Sequence, residues 1–271
     1  MASCKSKKSI ENFTETYCDA IRDQDIGPLL DVIREHYSTD IKIFDYMGLL
    51  DVPENFDKLK ERKKRDVIDK SIINSKGGFK EREKIQKSKK KRQAIIVAVT
   101  LEDGGDHYMG LLRNNDDVYI WDSASKNALE NPKHEIYYIA ENLFPGLTIR
   151  PVKTSNIFQP AGGGSENILE QQNIFCHTWS MWFFHIIFCL CDSKLSNLSF
   201  ALDAIEGLDN SDQERNLSHI KQYALFLTRY FDINEKTEDN IKKGLSVYVN
   251  KKGKITPVNK YQIYFEKCMF K

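Results

Sequence analysis

The chain has 271 residues, of which 41% are hydrophobic and 29% charged, and its formal net charge is +1. A chain of this length can bury one good core, or one core plus a smaller extension, without support from disulfides or metals. The composition excludes disordered and collagen-like proteins.

The six cysteines show no paired spacing of the zinc-binding type, and the first residues contain no secretory signal. They are Cys4, Cys18, Cys176, Cys189, Cys191 and Cys268. We therefore expect an intracellular, reducing compartment with free thiols. The most apolar stretch, residues 175–190, has no charged side chain but is shorter than the roughly 20 residues of a membrane span. It predicts a buried core helix and no membrane contact.

The first 92 residues divide into a predicted helical extension and a basic segment. Apolar residues at helical spacing, on both sides of Gly27-Pro28, predict short helices within residues 1–56. Residues 57–92 are predicted to be a basic linker or helix, because Lys58 to Arg92 holds 16 Lys or Arg against 5 Asp or Glu, a local charge of +11. This segment is either a solvated, charge-rich element or a contact for nucleic acid or an acidic partner. Its only aromatic residue is Phe79, so any nucleic-acid binding should be non-specific and salt dependent.

The main domain is predicted to span residues 93–271 and to open on a strand buried on both faces, since residues 94–99 are a continuous apolar run. Two shorter strands, residues 107–112 and 118–122, are joined by a polar stretch that favours a tight hairpin. Further elements follow in chain order: a helix over 132–143, a strand over 147–152, the apolar helix from 175, helices over 197–208 and 212–231, and short strands near 245–249 and 261–265. The sum is an α+β fold in which a mixed central sheet packs on a buried helix.

The hairpin predicts a pairing between a histidine and a carboxylate. If Asn114 and Asn115 form a two-residue turn, His107 lies directly across from Asp122 with both side chains on one face. A four-residue loop keeps the two on one face at a diagonal distance, whereas a three-residue loop separates them. A carboxylate that accepts one imidazole N–H fixes the tautomer and leaves the other nitrogen free to act as a base.

Cys176 is the candidate nucleophile because it opens the apolar helix, where free N–H groups and the helix dipole favour a thiolate. Gln172 or Gln171 can donate a side-chain N–H to a developing oxyanion. Taken singly, a core cysteine, a satisfied sheet histidine, an Asx-turn aspartate and a solvated glutamine are commoner, so the hypothesis depends on their conjunction. His185 and Cys189, spaced i, i+4, lack companion ligands, and we expect no metal and no cofactor.

Two stretches carry a resemblance to a known family. Residues 106–112 (Asp-His-Tyr-Met-Gly-Leu-Leu), followed by Trp121-Asp122-Ser123, are similar to the His and Asp-Ser portion of the adenovirus-protease and SUMO-protease clan of cysteine peptidases. Residues 175–183 resemble the aromatic-Cys-x-x-Trp-Ser-x-Trp stretch of the members encoded by large DNA viruses. The resemblance covers about residues 93–190.

The resemblance implies a papain-like thiol peptidase. His107 would be its general base, Asp122 the orienting acid and Cys176 the nucleophile. Gln172 or Gln171 would be the oxyanion donor. It further implies acyl-enzyme cleavage after small or Gly-type residues and processing of viral structural precursor proteins. Such an enzyme would act at assembly sites in the host cytoplasm and in the virion.

Two residues depart from the family pattern: Tyr108 stands where Trp is usual, and His177 stands where SUMO proteases have Gly. Gln172 also lies closer to Cys176 than the corresponding Gln does in SUMO proteases. Two other enzyme functions stay open, a deconjugating protease for ubiquitin-like modifiers and a same-fold acetyltransferase. A non-catalytic module that binds nucleic acid or protein through residues 58–92 is the alternative of another class.

Overall fold

The computed structural model has an α+β fold with a mixed sheet and helices. It describes residues 23–37, 39–45, 47–49, 52–53, 55–75, 77–100, 106–124, 131–154, 158, 175–190, 198–208, 210–213, 215–216, 219–220 and 223. Ile26–Ser218 form one compact unit, and the remaining residues of the chain belong to another. No helix in the described part of the chain is both long and apolar enough to cross a membrane.

The helices and strands are numbered in chain order. The helices are α1 (Asp23–His36), α2 (Glu61–Asn74), α3 (Gly78–Lys87), α4 (Glu135–Leu143), α5 (Cys176–Leu190) and α6 (Leu198–Glu206). The strands are β1 (Lys42–Ile43), β2 (Met47–Leu49), β3 (Arg92–Thr100), β4 (Asp106–Asn114), β5 (Asp117–Trp121) and β6 (Thr148–Pro151). A short 3-10 helix, Phe56–Lys58, precedes α2.

The strands form one sheet in the order β1-β3-β4-β5-β6. β2 also pairs with β3, at residues 97–99, further along that strand than residues 93 and 94, which pair with β1. β1 and β2 run parallel to β3, the β3-β4-β5 portion is antiparallel, and β6 runs parallel to β5. Every residue from Ala94 to Val99 is buried, which confirms the predicted two-sided burial of this strand. The strand is central because it has neighbours on both edges.

The two faces of the sheet pack on different helices. Alternate aliphatic side chains of β3, β4 and β5 form one core cluster with α2, α3 and α4. Its members include Ile95, Val97, Val99, Met109, Leu111, Val118, Ile120, Ile68, Ile72, Ile85, Ile136, Ile139 and Leu143. On the opposite face of the sheet, a Cβ added at Gly110 would come within 3.2 Å of the Phe184 ring on α5. The missing side chain therefore lets α5 approach β4 closely.

The hairpin turn lies one position later than predicted. Asn114 pairs with Asp117, so the two-residue turn begins at Asn115, whose φ is 57°. The condition for direct opposition of His107 and Asp122 is therefore not met, and the observed register is the one that the alternative four-residue loop predicts. The pairing shifts by two residues, which preserves parity and leaves the two on one face at a diagonal position.

The first 92 residues contain strands as well as helices. β1 and β2 lie within the predicted helical extension, and α1 runs through Gly27-Pro28 instead of being interrupted there. Strands of two and three residues are too short to show an alternating pattern. Residues 57–92 are largely helical, and the boundary expected near residue 92 falls inside the compact unit.

Some predicted elements lie outside the described residues. These are the first 22 residues of the predicted helical extension, most of the helix over 212–231, and the strands near 245–249 and 261–265. The remaining elements of the main domain occur close to their predicted bounds. The site residues on β4, β5 and α5 all fall among them.

Candidate active site

His107 and Asp122 meet at one end of the sheet. β4 begins at Asp106 and its antiparallel neighbour β5 ends at Trp121, so both residues lie at the same end. The His107 Nε2 atom is 2.9 Å from Asp122 Oδ1, which is hydrogen-bonding distance. The Asp122 side chain is fully buried, and 17% of the His107 side chain is exposed. The structure thus brings these two sequence-predicted residues together.

The Asp122 carboxylate is held by a second hydrogen bond. The backbone N–H of Ala124 donates to Oδ1 at 2.8 Å, as in an Asx turn. The other oxygen, Oδ2, is buried and makes no hydrogen bond within the described residues. Burial by itself raises the pKa of Asp122, but the charge and hydrogen bond of His107, then the charge of His134, lower it below its ordinary value. Asp122 is therefore an anion at neutral pH.

Cys176 is the first residue of α5 and is 4% exposed. Its thiol lies close enough to the His107 ring for hydrogen bonding and charge to raise the pKa of that ring. Because Nε2 of His107 faces Asp122, Nδ1 is the ring nitrogen left for the thiol. The structure therefore joins the three sequence-predicted residues into one chain of carboxylate, imidazole and thiol.

Opposing effects set the pKa of His107. Burial by itself lowers the pKa, because the imidazolium loses hydration. The negative charge and hydrogen bond of Asp122, followed by those of Cys176, outweigh burial and raise the pKa of His107 well above its ordinary value. His107 is therefore an imidazolium at neutral pH.

Two contacts hold α5 against β4 beside the site. The Ser180 hydroxyl donates to the Tyr108 carbonyl at 3.3 Å, and the rings of Tyr108 and His177 lie 5.7 Å apart, edge to face. Tyr108 follows His107 in the chain, and His177 follows Cys176. The two residues that depart from the family pattern therefore pack against each other. Their contact links the strand that carries the imidazole to the helix that carries the thiol.

His177 differs from His107 in its electrostatic surroundings. Burial lowers the pKa of His177 to about 4, so its ring is neutral at physiological pH. Its Nε2 atom lies 3.3 Å from the Thr178 hydroxyl. His107, rather than His177, therefore supplies the positive charge beside Cys176.

Aromatic rings pack behind the site. Trp121, which precedes Asp122, stacks on Phe183 of α5 with ring centres 4.9 Å apart. Trp179 and Trp182 meet edge to face at 5.2 Å. Their neighbour Phe158 lies 5.0 Å from the first ring and 5.5 Å from the second. The tryptophans of the family-like stretch are therefore packing residues that hold α5 on the sheet.

His134, which falls within the helix predicted over 132–143, lies near the site although it was not among the residues proposed from the sequence. His134 is the N-cap of α4, where its Nδ1 accepts a hydrogen bond from the Ile136 N–H at 3.4 Å. Its side chain is 20% exposed, and its electrostatic interaction with Asp122 contributes to the lowered pKa of that carboxyl. A polar residue just before a helical pattern is the sequence signal that identifies such a cap.

The remaining candidates do not join the site within the described residues. Gln172 and Gln171, the candidate oxyanion donors, lie outside them. His185 Nε2 lies 3.0 Å from the Tyr37 hydroxyl, and Cys189 is partly exposed near the far end of α5. Among the described residues, no group of three or more His, Cys, Asp or Glu side chains is arranged to hold a metal ion.

Comparison with models of protein families and with curated proteins finds no match for this chain. What characterises the site is its own arrangement of a buried carboxylate, an imidazole with a raised pKa and a thiol at a helix N-terminus. Such groups can perform nucleophilic catalysis, in which a thiolate attacks an acyl carbon and an imidazolium protonates the leaving group.

Proposed function

We propose that this chain is a thiol peptidase. Cys176 is its nucleophile, His107 transfers protons, and Asp122 orients and charges the His107 ring. One observation carries the proposal: a single imidazole bonds the Asp122 carboxylate through Nε2 and also interacts with the Cys176 thiol. Acyl transfer by a thiol needs this order of groups, since the imidazole must face the nucleophile while a partner fixes its orientation.

The reaction begins with the Cys176 thiolate. Its sulfur bonds to the carbonyl carbon of the scissile peptide and forms a tetrahedral oxyanion. When the C–N bond breaks, His107 gives its proton to the departing amine, which leaves a thioester and a neutral imidazole. Water then attacks the thioester while His107 accepts a proton. The acid product leaves, and the thiolate and imidazolium are restored.

We propose that the fold is that of the adenovirus-protease and SUMO-protease clan. The chain order supports this, because a hairpin that carries His107 and then Asp122 precedes the helix that begins at Cys176. The aromatic-Cys-x-x-Trp-Ser-x-Trp stretch favours a peptidase of a large DNA virus. The proposed substrates are structural precursor proteins, cleaved after small or Gly-type residues in the host cytoplasm. Gln172 and Gln171 remain the proposed oxyanion donors.

The reactive thiol can be tested without a known substrate. The full chain is treated with iodoacetamide across a pH series, and labelling of each cysteine is followed by peptide mass spectrometry. At about pH 6, where an ordinary thiol is protonated, we expect Cys176 to be labelled faster than Cys189 in the same molecule. His107→Ala should bring the Cys176 rate down towards that of Cys189. Equal rates in the unmodified chain would contradict the proposal.

Turnover separates a peptidase from related acyl-transfer enzymes. Fluorogenic peptides ending in Gly-Gly, a ubiquitin-like vinyl sulfone probe and labelled acetyl-CoA are each offered to the chain and to Cys176→Ala. Peptide cleavage that disappears in Cys176→Ala supports the proposal, and capture of the probe would narrow the substrate to modifier conjugates. A stable acetyl label on Cys176 without peptide cleavage would overturn it in favour of an acetyltransferase.

A further inference from the structure

The cations of the basic segment, residues 58–92, fall into two groups according to their contacts. One group forms ion pairs with nearby carboxylates. These pairs are Lys64–Glu61, Arg65–Glu141, Arg82–Asp69, Lys84–Glu81, Lys87–Glu83 and Arg92–Asp40. Four of the five acids of the segment are used in this way, and Asp66 is the exception. Most acidic side chains of this segment therefore already form ion pairs within it.

The second group projects into solvent. Nine cations are exposed and have no carboxylate within ion-pairing distance among the described residues. They are Lys58, Lys60, Arg62, Lys63, Lys70, Lys80, Lys89, Lys90 and Lys91. Lys76 lies outside the described residues. Since most acids of the segment are paired, the charge of these nine side chains stays largely uncompensated at the surface.

These cations lie on and beside two helices, α2 and α3, that are held in place by contacts with α4. α2 and α3 both pack on α4, through Arg65 to Glu141 at 3.2 Å and through Gln86 Nε2 to the Asn142 carbonyl at 2.8 Å. Because Glu141 and Asn142 are neighbours, the beginning of α2 and the end of α3 lie near each other. The exposed cations near the start of α2 therefore lie on the same side of the molecule as those that follow α3. The former are Lys58, Lys60, Arg62 and Lys63, and the latter are Lys89, Lys90 and Lys91.

A buried lysine fixes the start of α2. The Lys64 side chain is fully buried, and its Nζ lies 5.7 Å from the Phe56 ring centre and 5.2 Å from that of Tyr138. The Tyr138 hydroxyl donates to Glu61 at 2.6 Å. These contacts join the 3-10 helix, α2 and α4, so the exposed cations extend from a backbone that is already ordered.

We propose that the surface formed by α2, α3 and residues 88–91 binds nucleic acid through its phosphate backbone. Eight of the nine exposed cations are lysines, which act as point charges towards phosphate and carry little base-specific geometry. Arg82 stacks over the Phe79 ring at 5.4 Å, so one face of this aromatic ring is already occupied. The surface is suited to charge neutralisation rather than to sequence recognition.

An acidic protein is the other kind of polyanion that a cationic surface can attract, but the contacts of this surface favour phosphate. Protein interfaces are centred on buried aromatic or apolar anchors. Ile73, at 48% exposure, and Phe79, at 47%, are the large exposed hydrophobics in this segment. A lysine-rich face with so few anchors matches a uniform array of phosphates better than a folded protein partner.

The test measures binding of a short fluorescein-labelled DNA duplex to the full chain by anisotropy, at several salt concentrations. If about five cations contact phosphate, the affinity should fall by about 10²–10³-fold between about 50 and 200 mM salt. Lys89→Gln/Lys90→Gln should weaken binding and reduce the slope of log affinity against log salt by about 2. Duplexes of unrelated sequence should bind equally well.

Matched controls separate a surface from a general charge effect. Lys42→Gln/Lys153→Gln removes the same charge from exposed lysines outside the segment and should leave the affinity and the salt slope nearly unchanged. Equal losses in the two double variants would overturn the proposal, as would absence of binding at about 50 mM salt. Polyglutamate that competes as well as DNA would overturn it in favour of an acidic protein partner. Because none of these lysines lies in the site, Cys176 alkylation should be the same in all variants.

Discussion

The candidate active site and the basic helical pair α2–α3 use charge in opposite ways. In the site, the imidazole of His107 lies between one carboxylate and one thiol, and its neighbour Asp122 is fully buried. On α2 and α3, most charged side chains lie at the surface, with Lys64 and Glu81 as buried exceptions, and several have like-charged neighbours. Burial strengthens each electrostatic interaction, whereas water and salt weaken exposed ones. Single substitutions should therefore be decisive in the first region and minor in the second.

The largest effect is expected from Asp122→Asn, which keeps the side-chain size and removes its charge. Burial then dominates at His107, so the pKa of that ring should fall. We expect Cys176 alkylation at neutral pH to slow by about 10²–10³-fold, somewhat less than the loss of about 10⁴ seen in a serine triad. Ring NMR of His107 and the pH profile of alkylation measure both changes.

A control for this substitution is Asp66→Asn on α2, where the carboxylate is exposed and unpaired among the described residues. It should leave both the His107 titration and the alkylation rate unchanged. If Asp122→Asn left the His107 titration where it was, the electrostatic account of the site would be wrong.

Next in size is the effect of a side chain at Gly110, where β4 and α5 pack closely together. A Cβ there meets the Phe184 ring at 3.2 Å, so Gly110→Val should overpack the interface and lower the free energy of unfolding by about 1–3 kcal/mol. Gly110→Ala should cost less. Urea denaturation measures the series, and equal stabilities across Gly, Ala and Val would show that α5 can shift away from the strand.

His177→Phe should change how stability depends on pH. The pKa of His177 is about 4 in the fold and about 6.5 in an unfolded chain, so between these values unfolding takes up a proton. Stability contributed by this residue therefore rises with pH through that window, and His177→Phe should flatten the rise. Urea midpoints at about pH 5 and about pH 7 measure it. An unchanged difference between the two midpoints would count against a neutral His177.

His107 changes the free energy of unfolding with pH in the opposite direction from His177. The effects of the two histidines can therefore be measured separately. The pKa of His107 is raised in the fold, so its contribution is fully present below about 6.5 and is lost as pH rises through the folded pKa. The His177→Phe variant should retain this loss at high pH. The two neighbours of the candidate nucleophile thus stabilise the fold in different pH ranges.

The smallest effect is expected from Asp69→Asn, which breaks the ion pair with Arg82 between α2 and α3. The Asp69 side chain is 48% exposed, and Arg82 keeps a hydrogen bond to Asn142. The free energy of unfolding should fall by about 0–1 kcal/mol, and by less at high salt. A loss as large as that of Gly110→Val would show that the charges of this helical pair are not interchangeable.

Local elements of the site were predictable because they depend on short-range patterns. An apolar run without charges identified α5 as a buried helix with Cys176 near its start, and the structure begins the helix at that residue. Side chains alternate between the two faces of a strand. His107 and Asp122 were therefore predicted to share a face for any hairpin loop with an even number of residues. The turn position was missed because Asn and Asp residues fill the whole loop, and each of them tolerates the required backbone.

By itself, then, the sequence determined which residues are candidates for the site and which local elements carry them. Only the tertiary structure decided that Cys176 reaches His107, that Tyr108 packs on His177, and which lysines have no acidic partner among the described residues. Each of these facts joins residues that are far apart in the chain. Periodicity and capping report on neighbours within a few positions, whereas such contacts follow from how the sheet and helices pack.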